Sequence, residues 1–331
     1  MLRARIERLP NPSVPLQRGF AVAVVATQAL IAVTGSVVRV TGSGLGCPTW
    51  PECVPGSMVP VEHREFATLH QWIEYGNRLF TGIVGIIALA CFVLAWLARP
   101  RRTRYVRLAA AMPLGVLVQA IIGGITVRMD LLWWTVAVHL LVSTIMVWLA
   151  VMLVHEVDPR PAAAGPAPLR GLLVLQTGVL ACVLIAGTLV TGAGPHAGDP
   201  QTPRLDLPVE TLVHVHAAFL FVFVGMLLGL GVLLWVGGAP RSLRVRYGVL
   251  AGVTLGQGTL GLVQYWTGVP EMLVSLHVLG AMAVIIATAS MWCASRGRKG
   301  TAGGARDSGE ADGRPGSTGV QRDRAGLAGV G

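Results

Sequence analysis

Residues 211–236 read TLVHVHAAFLFVFVGMLLGLGVLLWV, without a single Asp, Glu, Lys or Arg. About 20 such residues in a helix cross the roughly 30 Å hydrocarbon core of a bilayer, so this stretch is long enough to span one. Working outward from it, apolar runs of similar length lie at approximately 19–39, 76–98, 107–127, 132–154, 170–191, 246–266 and 271–294. With 211–236 they make eight expected spans. Composition agrees: 53% of the 331 residues are hydrophobic and 13% charged, against roughly 25% charged in soluble domains. A soluble fold is excluded. A net charge of +10 would suit a nucleic-acid binder only if the arginines shared a face. Here they fall in short clusters between apolar runs, so nucleic acid is not expected as a partner. No small-residue cleavage site follows the first apolar run, so no cleaved signal peptide is expected.

Basic residues near spans stay on the cytoplasmic side. Arg3, Arg5, Arg8 and Arg18 precede the first span, and RPRRTRYVR (99–107) joins the second to the third. Arg160 and Arg170 follow the fourth, Arg241, Arg244 and Arg246 follow the sixth, and seven more lie between Arg296 and Arg324. Together these place 21 of the 26 basic residues on one side, so both termini are expected in the cytoplasm. The opposite side carries long loops at 40–75 and 192–210, where Glu52, Glu62, Glu65, Asp199, Asp206 and Glu210 gather. The Gly-rich, charged tail 296–331 is expected to be disordered.

The two halves echo each other. TQALIAVTGSVVRVTGSG (27–44) is similar to LIAGTLVTGAGPHAG (184–198), and QAIIGGITVR (119–128) to QGTLGLVQYW (257–266). Two matched pairs in the same order suggest a duplicated unit of four spans, related by an axis along the membrane normal. The expected organisation is an arm at 1–18, a four-helix bundle at 19–155, a linker at 156–169, a second four-helix bundle at 170–295 and the tail.

Histidines at the mouths of spans are costly unless used. His139 in TVAVHLLVS and His277 in LVSLHVLGA stand 138 residues apart at the start of the fourth and eighth spans. His216 in ETLVHVHAAFLF corresponds, 139 residues back, to Asn77 in HQWIEYGNRLFTG. Three of four equivalent positions are therefore His and one is Asn, all on the outer side. Mouth histidines can simply hydrogen-bond across an interface. Facing imidazoles on neighbouring helices also fill both axial positions of a haem iron, and His216 with His277 is the complete pair. A non-haem metal is the weaker reading, because no H-x3-H or E-x2-H pair recurs in both halves.

His70, Glu74 and Asn77 follow spacings of four and three and share a helix face. Glu74 is either a snorkelling surface group or a proton donor or acceptor for chemistry. Arg39 and Arg78, outside against the charge trend, could meet haem propionates or the carboxylates of Glu52, Glu62 or Glu65. His63, His196 and His214 are less informative, and His214, two residues from His216, should point elsewhere on a helix. Cys47 and Cys53 frame CPTWPEC in a Pro-rich outer loop, which reads as a disulfide. Cys91, Cys182 and Cys293 read as packing residues within spans.

These motifs resemble the heme A synthase family. The resemblance is carried by TGSVVRVTGSGLGCPTWPEC (34–53), IEYGNRLFTG (73–82), VAVHLLVS (136–143), HVHAAFLF (214–221) and SLHVLGA (275–281), spread over about residues 20–295. It implies oxidation of a ring methyl group of haem O to a formyl group, giving haem A. It also implies a haem b on His216 and His277 and a substrate haem site beside His139 and Glu74. Many family members carry His where Asn77 stands, which leaves the N-terminal iron either with His139 alone or with His70 as a second ligand. The family's cysteine pair in the second outer loop is absent. Implied surroundings are membrane lipid, the plasma membrane, haem O synthase, cytochrome oxidase assembly factors and an electron donor. The competing expectations are a transmembrane b-type cytochrome carrying electrons from quinol to an external acceptor, and a haem-binding transporter. Transmembrane conduction needs ligands at two depths, whereas these candidates sit near one face.

Overall fold

The computed structural model describes residues 10–61, 68–158, 165–166 and 168–295. Arg3, Arg5, Arg8, Glu62, His63, Glu65, Arg160 and the tail 296–331 lie outside the described residues. Within them the chain is all-helical: α1 Val14–Val40, α2 Thr68–Leu97, α3 Thr103–Arg128, α4 Trp133–Val157, α5 Leu169–Ala193, α6 Val209–Val236, α7 Arg241–Trp266 and α8 Glu271–Ser295. Each expected span is a helix, because a long apolar run in lipid satisfies its backbone polar groups only by bonding internally.

Seven of these helices are long and apolar enough to cross a membrane. The eighth, α7, covers the expected span 246–266 and is a helix of spanning length with a less apolar sequence. Helix α7 is long enough, but Gly248, Gly252, Gly256, Gly258 and Gly261, with Gln257 and Gln264, dilute its apolar character. Helix α2 is also longer than expected, starting at Thr68 instead of near residue 76, so His70, Glu74 and Asn77 all lie within it.

Helices α1 to α4 pack in sequence, α1 against α2, α2 against α3, α3 against α4, and α4 returns to α1. Likewise α5 packs on α6, α6 on α7, α7 on α8, and α8 on α5. The halves meet where α8 packs on α1 and α4 and where α4 packs on α5. One buried cluster joins Ala21 and Val24 of α1 to Ala88, Cys91 and Ala95 of α2, Ala109 and Met112 of α3 and Ala150 and Leu153 of α4. A second centres on Leu173, Phe223, Leu230, Leu250 and Ile285 of α5 to α8, with Ala29 and Val147 reaching into it. The many small residues fit helices whose association relies on close backbone approach.

The loops at the end bearing the histidines are tied together. Gly42 turns the chain at φ +68 after α1, and the N–H of Gly44 donates to the carbonyl of Gly198 at 2.8 Å. A Cβ at Gly44 would lie 3.1 Å from that oxygen and 2.6 Å from Leu131 Cδ1, so a larger residue would force both neighbours to shift. Arg39 Nε donates to His196 O at 2.6 Å and its Nη2 to Thr191 O at 2.9 Å. His196 Nε2 meets Val269 O at 2.9 Å and Thr202 Oγ1 donates to Asp130 O at 3.2 Å. These bonds gather the end of α1, the end of α5 and the α3–α4 and α7–α8 turns on one side of the molecule.

Candidate functional site

His139, His216 and His277 each lie within the first two turns of α4, α6 and α8, on that tied side. The structure brings two of them together: the His216 and His277 rings meet edge-on, with centroids 6.5 Å apart and planes at 62°. Two imidazoles binding one metal from opposite sides at about 2 Å each would set their centres roughly 6 Å apart. His214 is exposed and turned from this pair, as its spacing predicts.

The three rings differ in how their Nδ1 atoms are partnered. His216 Nδ1 lies 2.9 Å from the Val183 carbonyl, so it carries the proton and leaves Nε2 as the nitrogen with a free lone pair. Gly187, one turn beyond Val183, makes room: a Cβ there would be 3.2 Å from His216 Cε1. Nδ1 of both His139 and His277 is buried without a hydrogen-bond partner. Among the described residues no group of three or more His, Cys, Asp and Glu is arranged to hold a metal ion. A pair of imidazoles between apolar helices is instead the donor set suited to the iron of a flat macrocycle.

The residues of α2 are placed differently from one another. Asn77 Oδ1 accepts from Thr34 Oγ1 at 2.7 Å, which ties α2 to α1 and leaves the amide N–H groups as donors; no hydrogen bond joins Asn77 to His139. His70 Nδ1 is 2.8 Å from Ser43 Oγ. Glu74 is buried, with Oε2 accepting from the Cys47 N–H at 2.7 Å and Oε1 from Arg78 Nη2 at 2.6 Å. Arg78 also donates to the carbonyls of Thr49 at 2.9 Å, Glu52 at 3.1 Å and Cys47 at 2.8 Å. Its partners are thus Glu74 and three carbonyls, not the Glu52 carboxylate weighed from the sequence, which accepts from Gly56 N–H. Arg39 likewise donates to two carbonyls, those of His196 and Thr191. Cys47 and Cys53 form the expected disulfide, and both sulfurs are fully buried under this Glu74–Arg78 clasp. Cys91 is buried within α2, as a packing residue.

Sequence reasoning missed Gln119 and Gln257. Gln119 Nε2 donates to His139 O at 3.0 Å and Gln257 Nε2 to His277 O at 2.8 Å. Their motifs were visible as the repeat QAIIGG and QGTLGL, but an amide bonding a backbone carbonyl of another helix leaves no mark in a sequence.

Long apolar helices packed around paired imidazoles define a multi-pass helical membrane protein with a candidate metal-macrocycle site. The sequence model of the cytochrome oxidase assembly protein family matches residues 18–289. Proteins named heme A synthase from Azorhizobium caulinodans and Maricaulis maris are each 26% identical over 319 residues, covering 80% of this chain and 90% and 92% of their own lengths. The heme A synthase of Lysinibacillus sphaericus is 37% identical over 146 residues, and there the match spans 46% of the relative's length. The chain belongs to the heme A synthase family.

Proposed function

We propose that this chain oxidises a ring methyl group of haem O to a formyl group, giving haem A for cytochrome oxidase. The observation that carries the proposal is the His216–His277 pair, whose 6.5 Å separation fits two axial ligands of one haem b iron. When bound, haem b supplies one-electron redox chemistry. His216, locked by Val183 O, and His277 would hold it between α6 and α8, which do not pack along each other but are bridged by α5 and α7. Haem O, the substrate, takes the corresponding place between α2 and α4, with His139 as the iron ligand and the Asn77 amide opposite. An amide is a poor iron ligand beside imidazole, so in this reading Asn77 leaves the second axial position open. His70, held by Ser43, stays at the rim with Arg39 and Arg78.

The reading includes two four-helix bundles, 19–155 and 170–295, related by pseudo-symmetry. It is supported by the 138-residue interval that separates both His139 from His277 and Gln119 from Gln257, each pair making the same contact. Both termini lie in the cytoplasm and the haem sites on the outer side of the plasma membrane, as the arginine distribution favours. Haem O synthase and cytochrome oxidase assembly factors are partners in this reading, together with an electron donor. Glu74 is proposed to border the N-terminal site and to hold the disulfide loop over it.

Removing the chain from its native membranes tests the proposal. Extracted pigments are expected to lose haem A and accumulate haem O. A b-type cytochrome working only in electron transfer predicts unchanged haem A, and that outcome would refute the proposal.

A further inference from the structure

We infer that Gln119 and Gln257 are positioning residues, which set the His139 and His277 rings by tying their backbones to the preceding helix. The inference rests on the haem-binding reading above. His216 is fixed by its own ring, through Nδ1 and Val183 O at 2.9 Å. His139 and His277 lack such an anchor, since Nδ1 of each is buried and unpartnered. Each has a glutamine instead, 20 residues earlier on the neighbouring antiparallel helix, whose Nε2 donates to the histidine's own carbonyl.

A carbonyl inside a helix already accepts its i+4 N–H, and its second lone pair is free for another donor. The glutamine bond is therefore a tie between helices, not the repair of an orphaned group. It fixes the height of α3 against α4 and of α7 against α8 beside the metal-facing residue. At His139 that lone pair is shared: Ser143 Oγ donates to His139 O at 3.0 Å and accepts from Gln119 Nε2 at 2.5 Å, so the serine joins the first tie. Four residues beyond each glutamine a glycine underlies the same ring. A Cβ on Gly123 would sit 3.4 Å from His139 Cε1, and one on Gly261 would sit 2.9 Å from His277 Cε1. The bond sets the height and the glycine sets the depth, so the Gln-x3-Gly segment of one helix locates the imidazole of the next. Gly280, one turn after His277, completes the fit, because the Gln257 side chain occupies the space its Cβ would take. Polar amides inside apolar helices are kept where a partner uses them.

The test uses the full chain purified with its haem. Gln257→Met keeps length and bulk but removes the donor. Changes to groups that orient a metal-bound histidine typically weaken metal binding 10–100-fold. Transfer of haem b to apomyoglobin is therefore expected to show about a 10-fold loss of affinity, and the low-spin electron paramagnetic resonance signal to shift. Gln119→Met, the same change in the other half, is expected to leave the haem b signal untouched. Gln257→Asn, which keeps the amide but shortens its reach, is expected to behave like Gln257→Met and carries the test if the methionine variant does not accumulate. A wild-type signal and transfer rate in the Gln257 variants overturn the positioning role. A wild-type protein that binds no haem on two imidazoles overturns the haem-binding reading itself, and the inference with it.

Discussion

Alanine at either His216 or His277 is expected to abolish the low-spin haem b spectrum while the helical content of the protein is unchanged. In the proposed site each ring supplies one of two ligand nitrogens, and the rings already lie 6.5 Å apart. Removing either leaves the iron with one protein nitrogen, so affinity should fall by more than the 10–100-fold that changes to orienting partners cause. The fold should tolerate the change, because alanine is the best helix former, His277 Nδ1 has no partner, and His216 gives up one bond to the Val183 carbonyl, whose own place in α5 is kept. His139→Ala is the matched control, expected to keep the haem b spectrum and lose haem A formation. The measurement is the reduced-minus-oxidised spectrum of the three purified variants. A bis-imidazole spectrum surviving in His216→Ala or His277→Ala would mean that these histidines are paired incorrectly here.

Breaking the Glu74–Arg78 clasp is the second large effect. Arg78→Met strands a carboxylate that is 5% exposed and releases three loop carbonyls. Removing one partner of a buried ion pair typically destabilises by about 3–5 kcal/mol, since the other charge stays buried and uncompensated. Because the bonds converge on residues 47–52, the loss should appear as opening of the disulfide loop, read as faster hydrogen exchange there. Glu74→Gln should open the same loop, and the double variant Glu74→Gln, Arg78→Met should regain part of the loss, as coupled neighbours do. The sequence alone suggested instead that Glu74 handles protons. That role predicts a Glu74→Gln protein with wild-type loop exchange and no haem A formation, so one pair of measurements separates clasp from proton carrier.

The spans were legible because uncharged apolar runs leave lipid-facing backbone no alternative to helix. Helix α7 was less so, since glycine and glutamine thin its hydropathy while leaving the helix intact. The start of α2 was hidden for a related reason: TLHQWIEYGN mixes polar and aromatic residues, and hydropathy does not see that they continue one helix. The His216–His277 pair was readable from an interval of repetition, and the Cys47–Cys53 disulfide from spacing and side. Arg78 was not readable, because its acceptors are carbonyls of a loop that wraps back over α2. Arg39 was hidden likewise, its partners Thr191 and His196 lying more than 150 residues away. Side chains that bond backbone oxygen carry no complementary residue type for a reader of sequence to find.

The most direct test of heme A synthase activity is the pigment formed in a host that makes haem O but no haem A. Membranes from such cells expressing this chain are extracted and their haems separated by chromatography, beside cells expressing His139→Ala. The wild-type chain is expected to yield haem A at the expense of haem O, and the variant haem O alone. A wild-type chain that accumulates in the membrane with its haem b bound, yet leaves haem O unconverted, would contradict the assignment.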